Sequence, residues 1–402
     1  MKKLLGILVA VVMLLTMIPF ALAQDVTIDY WFWADNDGYA ATMQEMIADF
    51  NATNGKGITV VGSQVPWDGG GYSNTVFTAA MGGGGPDVAT WKLTATPAFV
   101  ANDLLAPLDG YLENWADYEQ IEESLWEVMR QVGGGEKVYV MPWNTQVLYV
   151  YYRPSMFEAA GIGVPETYEE FLDACAKLTK DGVYGFGMRG ATGGQEPWGS
   201  FIHARGGTFE DLTTPQAVQG MNDFIDLFKN GFTPPTAPSD GFSQIIDNFK
   251  SGLTAMTVHH IGSSAGMVET FGEDVGAFVF PAGEGQWTSM GDTENVMFAS
   301  CENKEAAFEW LAYLAAGKGQ ETWCKVTGNV PVAARVKEME EFQNNPFMKV
   351  SIAGAPYAGI LPILDTTTEW ISGVWPATVQ QALLGDITAE ECMEILQTEL
   401  HK

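Results

Sequence analysis

The chain has 402 residues, 47% of them hydrophobic, and a formal net charge of −30. Charged residues are only 17% of the chain, so the imbalance arises because 20 Lys and Arg face 50 Asp and Glu. A chain so poor in basic residues is not expected to bind nucleic acid. Its length exceeds what one hydrophobic core usually organises, so the sequence predicts two domains.

The N-terminus has the pattern of a secretory signal peptide over residues 1–23. Lys2 and Lys3 precede an apolar run over residues 4–22, and Ala21-Leu22-Ala23 is a small-residue cleavage site. A membrane anchor is the alternative, but the polar Gln24 that follows favours cleavage. No cysteine follows the site directly, so we expect a periplasmic protein without a lipid anchor.

Strands and helices alternate along the chain, which predicts an α/β fold with largely parallel sheets flanked by helices. Predicted strands span residues 26–33, 58–65, 87–91, 149–153, 254–258, 276–280 and 296–299. Predicted helices cover residues 39–50, 73–81, 304–315 and 369–384, and two more begin at Thr167 and at Thr214-Pro215. Thr167 with Glu170 three residues later is typical of a capping box.

Two short motifs resemble catalytic or cofactor sites, and neither has the required context. Residues 262–266 match G-x-S-x-G around Ser264, but an α/β-hydrolase needs a histidine after the serine, and only the penultimate residue, His401, follows it. Residues 185–190 match G-x-G-x-x-G, but no helix is predicted directly after them to hold a pyrophosphate. We therefore expect no catalytic residue and no cofactor.

The cysteines do not form a metal or redox motif. Cys175, Cys301, Cys324 and Cys392 are spread along the chain without C-x-x-C spacing. An exported protein is able to form disulfides, but Cys175 and Cys392 lie in predicted helices, where a buried thiol is expected. The sequence predicts no metal site and leaves the presence of a disulfide open.

Three tryptophans lie at the ends of the first three predicted strands. Trp33 ends the first strand, Trp67 follows the second and Trp91 ends the third. In open α/β sheets, ligands bind beyond the carboxyl ends of the strands. Any one of these side chains would be unremarkable in a core, but their shared position favours a ligand site.

Several segments, in the right order along the whole chain, resemble the family 1 extracellular solute-binding proteins of ABC transporters, the group that includes maltose-binding protein. The main signature is the stretch over residues 135–180, with a tyrosine pair at Tyr151-Tyr152 and an Ala-Gly, Pro-x-Thr run between two helices. Further similar segments are F-x-x-G-x-x-A-M at 249–256, N-K-E-A-A at 303–307 and the helix over 370–381.

The chain departs from this family in two places. The family often has a Gly-x-Trp turn where this chain has His259-His260-Ile261-Gly262, and a Gly-Gly pair is common where this chain has Gly291-Asp292-Thr293-Glu294. Both changes place polar groups at expected pocket positions, so the sequence does not name the ligand.

The resemblance implies a two-lobed periplasmic binding protein fold of type II-like topology, with hinges near Asn144 and Phe280. Lobe one is expected at 24–145 plus 282–328, and lobe two at 146–281 plus 329–402. The implied function is capture of a mono- or oligosaccharide between the lobes, without chemistry, and delivery to the membrane permease of an ABC importer. We expect a monomer.

The site expected from the strand ends and from the resemblance combines flat aromatic surfaces for the sugar C–H faces with polar groups for the hydroxyls. The expected stacking residues are Trp33, Trp67, Trp91, Trp143, Trp198 and Trp375. The expected hydrogen-bonding residues are Asp35, Gln64, Asn144, Arg189, His260 and Asp292. Trp375 is expected at an exposed helix start, next to Pro376.

Two alternatives stay open from the residues alone. The excess of carboxylates and the aromatic residues would also suit a cationic or peptide-like solute. Acidic pairs such as Asp292 and Glu294 would also suit a secreted carbohydrate-active enzyme, which needs two opposed carboxylates.

Overall fold

The computed structural model describes residues 26–34, 36–67 and 71–402. The predicted signal peptide and Asp35 lie outside the described residues, and so does the side chain of Asp292.

In the described chain, the strands form a seven-stranded and a four-stranded sheet. The larger sheet has the order β10-β4-β9-β3-β1-β2, with β11 added on β9, and the smaller has the order β6-β7-β5-β8. The strands are β1 Val26–Phe32, β2 Ile58–Gln64, β3 Val88–Trp91, β4 Val140–Val147, β5 Tyr149–Tyr152, β6 Tyr184–Gly187, β7 Thr254–His259, β8 Gly276–Phe278, β9 Thr288–Met297, β10 Val330–Pro331 and β11 Ala358–Gly359.

Helices cover these sheets. They are α1 Asp37–Thr53, α2 Gly71–Met81, α3 Thr96–Ala101, α4 Asp109–Leu112, α5 Glu123–Val132, α6 Pro154–Ala160, α7 Tyr168–Leu178, α8 Gln195–Ala204, α9 Pro215–Lys229, α10 Phe242–Lys250, α11 Ser264–Phe271, α12 Lys304–Ala315, α13 Lys318–Thr327, α14 Ala334–Lys337, α15 Glu340–Asn344, α16 Pro346–Gly354, α17 Thr367–Glu369, α18 Trp375–Leu384 and α19 Ala389–Leu400. A π-helical segment, Trp370–Val374, joins α17 to α18.

The predicted α/β fold with two lobes is confirmed, but the sheets are mixed and not largely parallel. Parallel pairing joins β1 to β2 and β3, β6 to β7, and β11 to β9. Antiparallel pairing joins β9 to β3 and β4, β10 to β4, and β5 to β7 and β8. The antiparallel strands include β4 and β9, whose ends connect to the other lobe.

Each sheet has its own hydrophobic core. The first core draws mainly on residues 28–151 and 296–348, and the second on residues 148–287 and 361–400. Residues 329–348, which the sequence analysis assigned to lobe two, therefore lie with lobe one. The cause is β10, where Val330 and Pro331 pair with Thr145 and Asn144 of the larger sheet.

The crossings between the lobes lie side by side. The chain passes from β4 to β5 at Leu148 and returns into β9 at Thr288, and the Thr288 hydroxyl donates to the Leu148 carbonyl at 2.5 Å. A third crossing, β11, pairs Ala358 with Thr288 and Gly359 with Ser289. These positions lie a few residues beyond the hinges expected near Asn144 and Phe280, and short connecting strands are where lobe rotation is absorbed.

Local sequence signals set several helix starts. The Thr167 side chain accepts a hydrogen bond from the backbone N–H of Glu170. The Thr214 side chain accepts one from the backbone N–H of Ala217, and Pro215 follows Thr214 in the first turn of that helix. These contacts satisfy backbone donors that have no partner inside the helix. The helix starts predicted at Thr167 and Thr214 are confirmed.

We expect the thiols to be unreactive in the folded protein. Cys175, Cys301, Cys324 and Cys392 all lie in the described part of the chain, where each is buried and none forms a disulfide. Burial raises the pKa of the Cys392 thiol to about 12 and that of Cys301 to about 12, so little reactive thiolate is present near neutral pH.

Titration with a thiol reagent checks this expectation. The native protein should react negligibly and the urea-unfolded protein should react at all four positions, and reductant should not change the melting temperature. A melting temperature that falls on reduction would contradict it.

Within the described ranges, no helix combines the length and the apolar character needed to cross a membrane.

Candidate functional site

A recess opens in lobe one at the carboxyl ends of β1 and β3. Its lining residues are Trp33, Ala34, Tyr39, Thr90, Trp143, Gln146, Thr293, Trp323 and Asn329. Aromatic rings, hydroxyls and amides thus meet at the edge of the sheet where ligands of open α/β sheets bind.

A β-bulge places Trp143 in this recess. The pairing of β4 with β9 shifts register between Pro142 and Asn144, so Trp143 is the extra residue. Bulges re-aim side chains and are frequent beside functional sites. The Trp143 indole stacks on Trp323 with ring centroids 4.8 Å apart, and Gln320 donates to the Trp143 carbonyl at 2.7 Å. Both indoles line the recess, where Trp143 is 1% exposed and Trp323 is 5% exposed.

A relay of amides lies beside these two indoles. Gln146 donates to the Asn329 side-chain oxygen at 2.7 Å, and Asn329 donates to the Asn144 side-chain oxygen at 2.7 Å. Neither the Asn144 Nδ2 group nor the Trp143 and Trp323 indole nitrogens find a hydrogen-bond partner among the described residues. Buried polar groups are normally hydrogen-bonded, so three unpaired buried donors side by side are unusual.

Trp33 and Trp67 form a second aromatic group at the mouth. Their ring centroids are 4.9 Å apart, and Trp33 also meets Tyr72 edge-on at 4.9 Å. The Lys92 ammonium lies 5.8 Å from the ring centroids of both tryptophans, within cation–π range. Trp33 is 8% exposed, so much of its face is already covered by protein.

Lobe two contributes a cluster in which the side chains of Arg189 and His260 both lie against the Phe242 ring. The Arg189 guanidinium donates to the Thr192 carbonyl, lies 3.6 Å from Glu196 and faces the Phe242 ring at 5.6 Å. Burial lowers the pKa of Arg189, and the nearby Glu196 carboxylate partly offsets this. His260 stacks on Phe242 at 5.6 Å.

The remaining expected site residues lie elsewhere. Trp91 is enclosed in the lobe-one core, where its indole donates to Thr96 at 3.0 Å. Trp198 is enclosed in the lobe-two core against Trp370 and Trp375. Gln64 is exposed at the end of β2. The recess thus contains Trp33 and Trp143, with Trp67 and Asn144 beside it.

Trp375 is not exposed at a helix start. The π-helical segment makes α17 and α18 one continuous helical stretch, so the start lies near Thr367, and Trp375 is 0% exposed. Its ring meets Trp198 edge-on at 5.8 Å. Pro376 does lie in the first turn of α18, as expected, but the expected exposure of Trp375 was wrong because its ring packs against Trp198 in the lobe-two core.

Sequence reasoning missed Tyr39, Gln146, Trp323 and Asn329. Gln146 follows Trp143 and Asn144 in β4, so alternation along the strand offered a weak signal. Trp323 gave none, because a tryptophan within a helix resembles any core residue. Asn329 reaches the recess through β10, a two-residue strand whose pairing with β4 only the folded chain displays.

Two sheets, three adjacent crossings and a polar–aromatic recess at a strand edge define a two-lobed binding protein. The sequence profile of the bacterial extracellular solute-binding protein family matches residues 45–350, and the chain belongs to this family.

Known relatives agree with this assignment. A binding protein of Brucella abortus is 27% identical over 85% of this chain and 84% of its own. An ABC transporter solute-binding protein of Thermotoga lettingae, solved with bound α-D-tagatose, is 23% identical with a TM-score of 0.81, over 93% of this chain and 98% of its own. The GacH receptor of Streptomyces glaucescens, solved unliganded and with acarbose, is 22% identical with a TM-score of 0.81, over 93% and 97%. The two structures show the shared fold.

Proposed function

We propose that this protein captures a small carbohydrate between its lobes and delivers it, chemically unchanged, to the membrane permease of an ABC importer. The observation that carries the proposal is the recess, where the stacked pair Trp143 and Trp323 lies beside the amides of Gln146 and Asn329. A pyranose has apolar C–H faces and a rim of hydroxyls, and this arrangement matches both.

The relatives support the same class of solute, because the two similar structures were solved with α-D-tagatose and with acarbose. The proposal includes a monomer that is exported by its N-terminal segment and acts without a lipid anchor. A cationic or peptide-like solute is the rival ligand, and the position of Arg189 in the lobe-two cluster opposes a cation there.

Thermal shifts against a panel of solutes test the proposal. We expect a monosaccharide, polyol or short oligosaccharide to raise the melting temperature of the protein, because a ligand that binds only the folded form stabilises it by mass action. The panel contains D-tagatose, D-mannitol, maltose, laminaribiose and acarbose, with spermidine and a tripeptide as rivals. The sugar should be recovered intact by chromatography after incubation.

A matched pair of variants locates the binding. Gln146→Leu should weaken the affinity for the stabilising sugar by about 10-fold or more, since it removes an amide from the recess. Gln131→Leu, on the exposed surface at the end of α5, should leave the affinity unchanged. Stabilisation by spermidine or the tripeptide alone would contradict the sugar proposal, and a cleaved sugar would contradict capture without chemistry.

A further inference from the structure

Two adjacent histidines, His259 and His260, lie where lobe two faces lobe one. His259 ends β7 and pairs with Tyr149 of β5, and His260 begins the loop that follows. The two imidazole centroids are 4.4 Å apart, and the Phe242 ring lies 4.3 Å from His259 and 5.6 Å from His260. His259 is 2% exposed.

The hydrogen bonds of this pair suit neutral imidazoles. His260 Nδ1 accepts from the Gly262 backbone N–H at 3.1 Å, so that nitrogen carries no proton. His259 Nδ1 contacts the Ser263 hydroxyl at 2.8 Å, and in the described chain no atom hydrogen-bonds to its buried Nε2. A proton added to His259 would leave a charged, buried donor without a partner among the described residues. A proton added to Nδ1 of the half-buried His260 would break the hydrogen bond from the Gly262 N–H.

The charges facing the pair come from both lobes and are mainly positive. Arg189 approaches from the loop after β6, and Lys92 approaches from lobe one, directly after β3. Glu196 is the carboxylate paired with Arg189, and the Tyr151 hydroxyl on β5 donates to the His260 carbonyl at 3.0 Å. Since Lys92 belongs to the other lobe, its effect on His260 depends on closure.

We propose that the His259–His260 pair makes solute capture dependent on pH, because neutral imidazoles permit the lobes to close and a proton on either one opposes closure. This inference rests on solute capture between the lobes as proposed above, and it holds whichever solute is bound.

The direction follows from proton linkage. Burial, then the positive charges of Lys92 and Arg189, lower the pKa of His260 to about 3, and burial with His260 and Arg189 lowers that of His259 well below its ordinary value. The ordinary pKa of an imidazole is about 6.5. The closed form therefore binds fewer protons than an open, hydrated form. The affinity for the solute therefore has its full value well above pH 6.5 and falls as the pH drops through and below that value.

The expected loss is large enough to measure. If the pKa of His260 is about 6.5 in the open form and about 3 in the closed form, binding weakens roughly 30-fold at pH 5.0 relative to pH 7.5. The test measures the affinity for the best stabilising solute of the panel at both pH values, and titrates the imidazoles by histidine-selective NMR in the free and saturated protein.

We expect saturation to lower the pKa of His260, and His260→Asn to reduce the pH dependence while His203→Asn retains it. His203 is a suitable control because its imidazole stacks on Trp287 within lobe two, at 5.2 Å. Equal wild-type affinity at both pH values, or a histidine pKa that saturation leaves unchanged, would overturn the proposal. If His260→Asn does not fold, the wild-type titration decides.

The two proposals fail separately. A sugar that binds equally at both pH values overturns the histidine proposal alone and leaves carbohydrate capture intact. If only spermidine or the tripeptide stabilises the protein, the carbohydrate proposal fails, and the same pH series with that solute still tests the histidine pair.

Discussion

Replacing Trp375 with alanine should lower the free energy of unfolding of the ligand-free protein by about 3–5 kcal/mol. Trp375 is 0% exposed and packs against Trp198 in the core of lobe two. Removing an indole from such a position loses its buried area and leaves a cavity. Urea unfolding followed by circular dichroism measures the change, with the slope of the transition compared between proteins.

Trp67→Ala is the matched control, because Trp67 lies partly exposed at the mouth of the recess. It should cost less than about 1.5 kcal/mol. A Trp375→Ala protein as stable as wild type would show that the indole is not a core group in solution. Solute affinity measured on the same variant tests the separate prediction that Trp375 stacks on the ligand. If it does, Trp375→Ala should weaken binding by about 1–3 kcal/mol.

Gly185→Ala should also destabilise the protein strongly, by about 3 kcal/mol. Gly185 lies in β6 where α7 crosses it, and a Cβ atom there would lie 1.9 Å from the Cys175 carbonyl oxygen. The obstacle is helix backbone, so no side-chain rotation relieves it. The whole helix has to move away from the sheet, which disturbs the packing of Phe171 and Cys175 in the lobe-two core.

Gly163→Ala provides the control for this substitution. Gly163 lies in the loop between α6 and α7, and among the described residues no atom beyond its own two chain neighbours lies within 4 Å of the position its Cβ would take. Urea unfolding should separate the two variants by at least about 2 kcal/mol. Equal stability of the two proteins would mean that α7 and β6 are not in such close contact.

Close backbone packing also explains the other glycines of the motif at 185–190, which resembles a dinucleotide-binding sequence. A Cβ at Gly190 would lie 2.5 Å from the Ala237 carbonyl, and at Gly187 it would lie 3.1 Å from the Thr257 hydroxyl. These glycines permit close packing of backbone within lobe two. The sequence shows that these positions lack a side chain, but it does not show whether a ligand or packed backbone occupies the space.

Much of the fold was predictable because local periodicity and capping determine most of these elements. Strands such as β1, β2 and β7 and helices such as α9 and α12 occur where alternation and helical spacing predicted them. The lobe boundary after residue 328 was not predictable, since it depends on β10 pairing with a strand about 185 residues earlier. Such long-range pairing leaves no periodic signal.

The site was only partly predictable for a related reason. Trp33 follows from its position at the end of β1, because the carboxyl ends of parallel strands meet at one edge of a sheet, whereas Trp143 reaches the recess through a β-bulge in the middle of β4. Trp310 and Trp323 both lie in helices, yet the first is enclosed behind the larger sheet and the second lines the recess. Only the packing of α12 and α13 against the sheet distinguishes them, and that packing is a property of the whole chain.

The position of β9 determines the order in which the protein is able to fold during synthesis. β9 lies between β3 and β4 in the larger sheet, and its Met297 pairs with Val88. The ribosome makes the first part of lobe two before it makes β9. Until then, β3 and β4 lack the strand that lies between them in the larger sheet. Pairings this distant in sequence form slowly. Lobe one therefore acquires its complete sheet late in synthesis, although its first strands are made first.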